Sequence, residues 1–468
     1  MNITENNLAS PVNITAGESI ERKKAVAIVG MGKTGQAVAH FLMHRGIRCE
    51  AFDEHAVSIP DSLHLPVHAG PLDDSLLATY ARVIVSPGIN WNHPALSAVR
   101  ETQTPVSGDL DLFREHYTGD LIGITGTNGK TTTVSLISTL LDVLPGGIEA
   151  GGNIGRPMMQ LLDESDMPHR VVLELSSFQL ERANPVRPNW AALLNVQPDH
   201  ADMHASSQVY EAAKLRLFAG QGEGDKAMLP AGRHWNALAR KLTGRGVFVR
   251  RFGLGSPETL DAGVQILDAG TWQVFWHHYD IAETVSSDEL PSRGKHQHLN
   301  LAVAAQAATD FGVSASVIRQ SLTSFRGLPH RMQSLGVVAG REWYNDSKAT
   351  NPDAARAALQ SFPQVVWICG GLRKELDVSV LQETVSRHVE HAFIIGNDSK
   401  PFADLAFAAG VPATIVKTMA QAVKQAMQAQ SGVPVLLSPA AASQDQFTDY
   451  SERGTAFVDA VRQLEKVA

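Results

Sequence analysis

The sequence predicts an α/β protein made of three consecutive domains, and three observations carry that expectation. Apolar runs of strand length alternate with amphipathic runs of helix length along most of the chain. Glycine turns follow the opening strand of two successive stretches, at Gly30-Met31-Gly32 and at Gly126-Thr127-Asn128-Gly129. The length of 468 residues is about three times the ~150-residue prior for one domain.

The first domain is expected over 25–108, after a loose polar extension over 1–24. It opens with the strand AVAIV, the turn GMGKTG, the helix QAVAHFLMHRG and the strand IRCEAF, which ends at Asp53. Gly30-x-Gly32-x-x-Gly35 with Asp53 matches the dinucleotide fingerprint in spacing and context, so the domain reads as Rossmann-like. A further strand, RVIVSPGI, closes on a turn at Pro87-Gly88. Taken alone, this unit points to a nicotinamide or flavin enzyme, although such a turn binds the phosphates of many nucleotides.

The second domain, 109–327, is expected to carry a mostly parallel sheet and to resemble P-loop ATPases. Its elements are the strand DLIGIT, the loop GTNGKT, a helix through TVSLISTLLDVL and the strands VVLEL and AALLNV. A polar stretch over about 220–295 and a helix from about Leu299 to Phe311 follow, with Asn300 near that helix's start. The third domain, 328–468, repeats the theme with VVWICGG, HAFIIG and VPVLLS and is again Rossmann-like.

Charge and cysteine content narrow the function classes. Lys and Arg number 40 against 48 Asp and Glu, a formal net charge of −8, and no long basic run is laid out to track a phosphate backbone. Nucleic acid is therefore not an expected partner. Cys49 and Cys369 each stand alone in an apolar stretch, which fits a reducing compartment rather than a disulfide framework or a Cys-based metal site. No apolar run approaches the ~18 residues of a membrane span, and the polar start lacks the apolar core of a signal peptide. The expectation is a cytoplasmic chain without a membrane span, by default a monomer because no heptad or long apolar edge is evident.

The strongest chemical signal is Gly126-Thr127-Asn128-Gly129-Lys130-Thr131-Thr132, after an apolar strand and at the start of a helix. Glycines let successive N–H groups turn inward around phosphate oxygens, and the helix N-terminus adds a positive field. Lys130 would bring charge to the terminal phosphates, and the Thr131 hydroxyl would face Mg²⁺. The G-x-x-x-x-G-K-[ST] consensus is missed, because position 124 is Ile and Gly123 is one residue out of step. A ligand-free helix cap is the competing reading.

Downstream candidates are weaker one by one. Glu174 ends a buried-looking strand where a carboxylate could meet a metal. His200 lies in the His/Asp-rich loop QPDHADMH and could ligate a metal or orient a base. Lys214, in VYEAAKLRLF, reads locally as a solvated helix face. The segments YNDSKATN and SPAAASQDQFTDYSERG follow strands in the third domain, where ligand contacts gather but ordinary turns are also common.

Together, GTNGKTT, GGNIG, ELSSFQLE, NVQPDH, AAKLR, GLPHR, NDSKATN and SPAAASQDQF, in this order, resemble the Mur ligase family, and within it the members that add D-glutamate. The resemblance runs from about Ala25 to the carboxyl end; the phosphate loop alone is shared with sister ligases and folylpolyglutamate synthases. It implies an ATP-dependent amide ligase that joins D-glutamate to UDP-N-acetylmuramoyl-L-alanine through an acyl phosphate. Gly126 to Thr132 would hold ATP, with Asn300, Arg331 and Asp346 also contacting the nucleotide. Thr131, Glu174, His200 and a carbamylated Lys214 would serve two Mg²⁺ ions. Lys33, Thr34, Asp53, Ser86, Gly88 and Asn153 would hold the UDP-sugar, and Thr350, Lys374, Ser443 and Tyr450 the incoming glutamate. Lys348 would organise that wall of the site. Gln297 and Tyr450 stand where many relatives have Asn and Phe. Another Mur or folylpolyglutamate-type ligase with a different acceptor, a nucleotide switch without catalysis and an NAD(P)-dependent oxidoreductase are the alternative readings.

Overall fold

The computed structural model describes residue 22 and residues 24–162, 167–199, 204, 206–268, 271–373, 376–429 and 432–465. The chain divides into two compact units. One comprises Met1–Gly119, Gly151–Met167 and Ser176–Val186, and the other Asp120–Ala150, Pro168–Leu175 and Arg187–Ala468.

The first unit is built on five strands, β1 (Val26–Val29), β2 (Cys49–Asp53), β3 (Val67–Ala69), β4 (Arg82–Val85) and β5 (Val106–Ser107). They pair in parallel in the order β3-β2-β1-β4-β5. The last three residues of both β1 and β4 are buried, as strands covered on both faces require. The Lys33–His44 helix supplies part of that cover with Ala37, Val38, Phe41 and Leu42, spaced to form one helical stripe. Chain order reverses between β1 and β4, so a crevice opens at their carboxyl ends. Both cysteines are free and buried. Burial pushes the Cys49 thiol up to about 11, which keeps it protonated and unreactive.

The second unit contains two sheets. Nine strands form the first: β6 (Asp120–Thr125), β7 (Ile148–Gly152), β8 (Arg170–Glu174), β9 (Trp190–Leu193), β10 (Lys226–Pro230), β11 (Phe248–Leu254), β12 (Ala262–Asp268), β13 (Thr271–His278) and β14 (Ile281–Ser286). Their order is β14-β13-β12-β11-β10-β9-β6-β8-β7. Pairing is parallel from β8 through β6, β9, β10 and β11 to β12, then antiparallel to β13 and β14. The sheet switches direction at β6, which places the loop after β6 at the ligand-binding position of an open α/β sheet.

The stretch 220–295, read from sequence only as polar, is corrected here: it carries β10 to β14. Its polarity comes from the sheet's outer edge, where Val285 is the one fully buried residue of β14. The helix expected from Leu299 starts a turn earlier, at Lys295, and runs to Asp310. Its N-cap is Gly294 at φ +92, where a Cβ would sit 2.3 Å from Ser361 Oγ. Asn300 is therefore a buried interior residue of this helix rather than its start.

The second sheet has six strands, β15 (Gln333–Val338), β16 (Arg341–Asn345), β17 (Val365–Gly370), β18 (Val389–Ile395), β19 (Ala413–Ile415) and β20 (Val435–Leu437), ordered β15-β16-β20-β17-β18-β19. Only the β15–β16 pairing is antiparallel. All six residues of β17 are buried. Because β16 and β20 are neighbours, the loops that follow them lie side by side. The molecule is thus a three-domain α/β fold with mostly parallel sheets.

Candidate active site

The loop between β6 and the Lys130–Leu141 helix is held by its own glycines and by the segment after β9. Gly129, the helix N-cap, has φ +87, and a Cβ there would meet Asn300 Oδ1 at 2.5 Å. No residue with a side chain fits that approach without displacing Asn300. The Asn128 N–H donates to Asn195 Oδ1 at 2.8 Å, and Asn195 Nδ2 returns a bond to the Asn128 carbonyl at 2.9 Å. The Gln197 N–H donates to Thr127 Oγ1 at 3.0 Å. The result is a braced loop at the positive end of a helix, the arrangement that binds phosphate oxygens.

Four ionisable groups converge on it. The Thr131 hydroxyl donates to Glu174 Oε2 at 2.7 Å, and Arg331 Nη2 donates to Thr131 Oγ1 at 2.6 Å. Lys130 Nζ donates to the carbonyls of Gly126 and Thr127, both at 2.9 Å. Lys214 Nζ also reaches the Gly126 carbonyl at 2.9 Å. The local reading of Lys214 as a solvated residue is corrected: it is 1% exposed, with its Nζ 4.2 Å from the centroid of the Tyr210 ring. Burial first, and the Lys130 charge second, hold its pKa well below the ordinary lysine value. Desolvation also lowers Lys130, opposed by the carboxylates of Glu174 and Asp199.

Thr131 and Glu174 offer hard oxygen donors of the kind magnesium takes. Among the described residues no group of three or more His, Cys, Asp and Glu could hold a metal by itself. Such a donor set suits an ion that keeps waters and takes its remaining ligands from substrate phosphates.

A wall from the six-stranded sheet faces this loop across a cavity of about 260 Å³ lined by Asn128, Gly129, Asn300, Arg331, Asp346 and Lys348, with Gln297 also on its surface. Asp346 accepts from the Met332 N–H and from Ser438 Oγ, each at 3.1 Å, so the loops after β16 and β20 are joined through one carboxylate. Burial pushes Asp346 up to about 7. Desolvation, with the charges of Arg331 and Lys130, brings Lys348 down to about 8, and its ammonium lies 4.3 Å from the Tyr450 ring centroid. His330 and Met332, on either side of Arg331, have φ of +62 and +51, a left-handed strain that persists only where the surroundings enforce it.

In the first unit the crevice between β1 and β4 is organised by two side chains. Asp53 accepts from the N–H groups of Met31 at 2.8 Å and His55 at 3.1 Å. Ser86 Oγ donates to the Gly30 carbonyl at 2.6 Å. Lys33 and Thr34 begin the helix that follows, Gly88 is exposed in the turn after β4, and Asn153 is exposed just beyond β7.

Comparison with known proteins covers most of the chain. Residues 24–108 match the MurD-like N-terminal domain of Mur ligases, 124–308 the Mur ligase middle domain and 330–441 the Mur ligase glutamate ligase domain. The chain belongs to the Mur ligase family. A UDP-N-acetylmuramoylalanine--D-glutamate ligase of Nitrosococcus oceani is 35% identical over 93% of this chain and 96% of its own. The Acidobacterium capsulatum protein of the same name is 36% identical over 94% and 96%. Among solved structures, the MurF ligase of Thermotoga maritima, in complex with ADP, has a TM-score of 0.59 at 18% identity over 96% of this chain and 97% of that one. MurC of the same organism has a TM-score of 0.58 at 17% identity over 94% and 99%. These two likenesses are of fold.

Within this family's fold, the structure gathers Gly126, Thr127, Asn128, Gly129, Lys130, Thr131, Thr132, Glu174, Lys214, Asn300, Arg331 and Asp346 in the second unit. Ser443 is buried after β20, and Tyr450 is the first residue of the Tyr450–Glu465 helix. The Thr350 N–H donates to the Lys348 carbonyl at 2.8 Å. His200 and Lys374 lie outside the described residues. Sequence reasoning missed Asn195, the brace of the phosphate loop, although it lies in the quoted NVQPDH. It also missed Arg453, 1% exposed, which donates to Ser347 Oγ and O and to the carbonyls of Ala441 and Ala442. One guanidinium thereby ties together the loops after β16 and β20.

Proposed function

We propose that this protein is an ATP-dependent ligase that joins D-glutamate to UDP-N-acetylmuramoyl-L-alanine, releasing ADP and phosphate, in peptidoglycan precursor synthesis. The observation that carries the reading is the Thr131–Glu174 hydrogen bond beside Lys130, in a chain about one third identical to D-glutamate ligases over nearly all its length. We assign 25–108 to the UDP-sugar, 109–327 to ATP and 328–468 to the amino acid, in a monomer working in the cytoplasm. Among the described residues no helix is long and apolar enough to cross a membrane.

A carboxylate is a poor acyl donor, so the alanyl carboxylate first takes the γ-phosphoryl group of ATP; the glutamate amine then displaces phosphate from the acyl phosphate. Both steps bring anions together. Lys130, Arg331 and the N–H groups of Gly129 to Thr132 stabilise that charge and position the phosphates. Thr131 and Glu174 hold one Mg²⁺, with His200 assigned to a second; bound there, magnesium neutralises phosphate charge. Lys214, held as a neutral amine, adds to CO₂, forming an N–C bond and releasing a proton, and the resulting carbamate contributes negative charge on the metal side of the loop. Asn300 and Asp346 contact the nucleotide. Lys33, Thr34, Asp53, Ser86, Gly88 and Asn153 hold the UDP-sugar, while Thr350, Lys374, Ser443 and Tyr450 hold glutamate.

The test is phosphate release from ATP with UDP-N-acetylmuramoyl-L-alanine and, separately, D-Glu, L-Glu, Lys or diaminopimelate. Release stimulated by D-Glu alone is expected, with ¹⁸O passing from the alanyl carboxylate into phosphate. Stimulation by another amino acid, or no ¹⁸O transfer, overturns the assignment.

A further inference from the structure

The Ser177–Arg182 helix follows β8 in sequence yet packs in the first unit, and its last residue is a buried arginine, 3% exposed. Arg182 Nη1 donates to the Ser86 carbonyl, and Nη2 donates to the Ile89 carbonyl at 2.8 Å. These two oxygens bracket the Pro87-Gly88 turn. The guanidinium lies 5.5 Å from the Trp91 ring centroid. Its stem packs so closely on Gly108 that a Cβ there would meet Arg182 Cγ at 3.1 Å. Gln179 Nε2 bonds Asp109 Oδ2 at 3.3 Å, and the Asn184 N–H donates to Asp111 Oδ1 at 2.8 Å, so the helix that carries the arginine is itself anchored at both ends.

We infer that Arg182 is a positioning residue for sugar-nucleotide binding, holding the Ser86–Ile89 turn in its binding conformation. The inference rests on the reading of this crevice as the UDP-sugar site. Ser86 is a double anchor: its hydroxyl holds the Gly30 carbonyl at 2.6 Å while its own carbonyl is held by Arg182. Ile89 packs back over the glycine turn, where a Cβ on Gly30 would meet Ile89 Cγ1 at 2.7 Å. One guanidinium thus sets both segments at the crevice. Across a trans peptide the N–H points away from the C=O, so turning the Ile89 carbonyl toward Arg182 aims the Asn90 N–H the opposite way. The guanidinium spends two separate nitrogens of one rigid plane on the two carbonyls, Nη1 on Ser86 and Nη2 on Ile89, a fixed spacing that the single ammonium of lysine does not reproduce.

The experiment compares wild type with Arg182→Lys and Arg182→Met, the latter keeping the stem that packs on Gly108, by titrating UDP and UDP-N-acetylmuramoyl-L-alanine and, separately, an ATP analogue. Both variants are expected to bind the uridine ligands about tenfold more weakly, as loss of charge-assisted hydrogen bonds implies, with ATP-analogue affinity unchanged and KM for the UDP-sugar raised more than kcat falls. Equal uridine binding by wild type and variants overturns the inference, as does parallel loss of uridine and ATP-analogue binding, which marks a merely structural role. If wild type itself binds neither uridine ligand, it is the reading of the crevice that fails.

Discussion

Lys130 and Lys214 donate to the same oxygen, the carbonyl of Gly126, each at 2.9 Å. Two ammonium groups on one acceptor repel, and the conflict is relieved at Lys214, where burial and the neighbouring charge favour the neutral amine. A buried neutral lysine is a nucleophile toward CO₂ that an ordinary protonated lysine is not.

Carbamylation of Lys214 therefore gives the first prediction. Enzyme stripped of dissolved CO₂ is expected to lose activity and recover it with bicarbonate. Lys214→Arg, which keeps a cation but cannot form the carbamate, should lower kcat about a hundredfold, the usual cost of one electrostatic group in such a site. The neutral fraction grows as pH rises through the lowered pKa, so modification should increase with pH over that interval in intact-protein mass spectra. Activity indifferent to CO₂ would refute the idea.

Glu174 and Thr131 act as a pair through their 2.7 Å bond. Glu174→Gln keeps the side-chain volume but removes the charge, and Thr131→Ala removes the hydroxyl; each should reduce kcat about a hundredfold or more. The magnesium concentration for half-maximal rate should rise in both. The double variant should cost less than the product of the singles, because both changes would disable the one metal position we propose for the pair. Full multiplicativity in steady-state kinetics would show that the two residues work separately.

Glycines in the two loops should not behave alike. A Cβ at Gly35 would fall 2.0 Å from the Gly30 carbonyl oxygen, whereas at Gly32 it would meet nothing within 4 Å. Gly35→Ala should destabilise the first unit by about 2 kcal/mol or more, in the range of overpacked cores, while Gly32→Ala, in open space at the helix N-cap, should cost no more than about 1 kcal/mol. Gly129→Ala combines a φ of +87 with the approach to Asn300. It should weaken ATP binding about tenfold or more, as displaced loop N–H donors imply, with little loss in UDP affinity. Calorimetric melts and separate titrations of ATP and UDP distinguish these cases.

The glycine loop before the Lys130–Leu141 helix was legible because its signal is local: a strand, a glycine turn and a helix start lie within a dozen residues. Lys214 was legible only through the family resemblance, since VYEAAKLRLF looks amphipathic in isolation; Tyr210 lies one helical turn away, but only the fold brings the lysine to the Gly126 carbonyl. The early start at Lys295 escaped because its cap is a glycine at positive φ, without the Ser, Thr, Asp or Asn that marks a helix entry. Strand β14 was hidden because Val285 is its one fully buried residue, whereas β13, with Val274, Phe275 and Trp276 buried, carries an apolar signal that the reading of 220–295 as polar passed over. Arg182 stands one residue past ELSSFQLE and Arg453 inside SPAAASQDQFTDYSERG, but each has carbonyl partners far along the chain, at Ile89 and Ser347, and a backbone acceptor leaves no mark in the sequence.

Asp346 couples the site to stability, and the sign can be worked out. Its pKa rises from 3.8 to about 7, chiefly by burial, against the opposing pull of the Met332 N–H, Ser438 and the charges of Arg331 and Arg453. Below the unfolded value both states hold the proton and the group contributes nothing. Between the two values the folded state binds a proton that the unfolded state lacks, so stability declines as pH rises. Above about 7 the whole cost of burying the charge is present, up to a few kcal/mol. Asp346→Asn keeps an oxygen for the Met332 N–H and offers its amide to Ser438 as acceptor. It should therefore unfold at higher denaturant than wild type near pH 8 and at nearly the same denaturant near pH 4, with the linkage confined to that interval. The same variant should ligate more slowly, because Asp346 lines the cavity that we assign to the nucleotide; stability gained where activity is lost is the expected trade at such a site. Denaturant curves that shift equally at both pH values would show that the carboxyl is not the source of the strain.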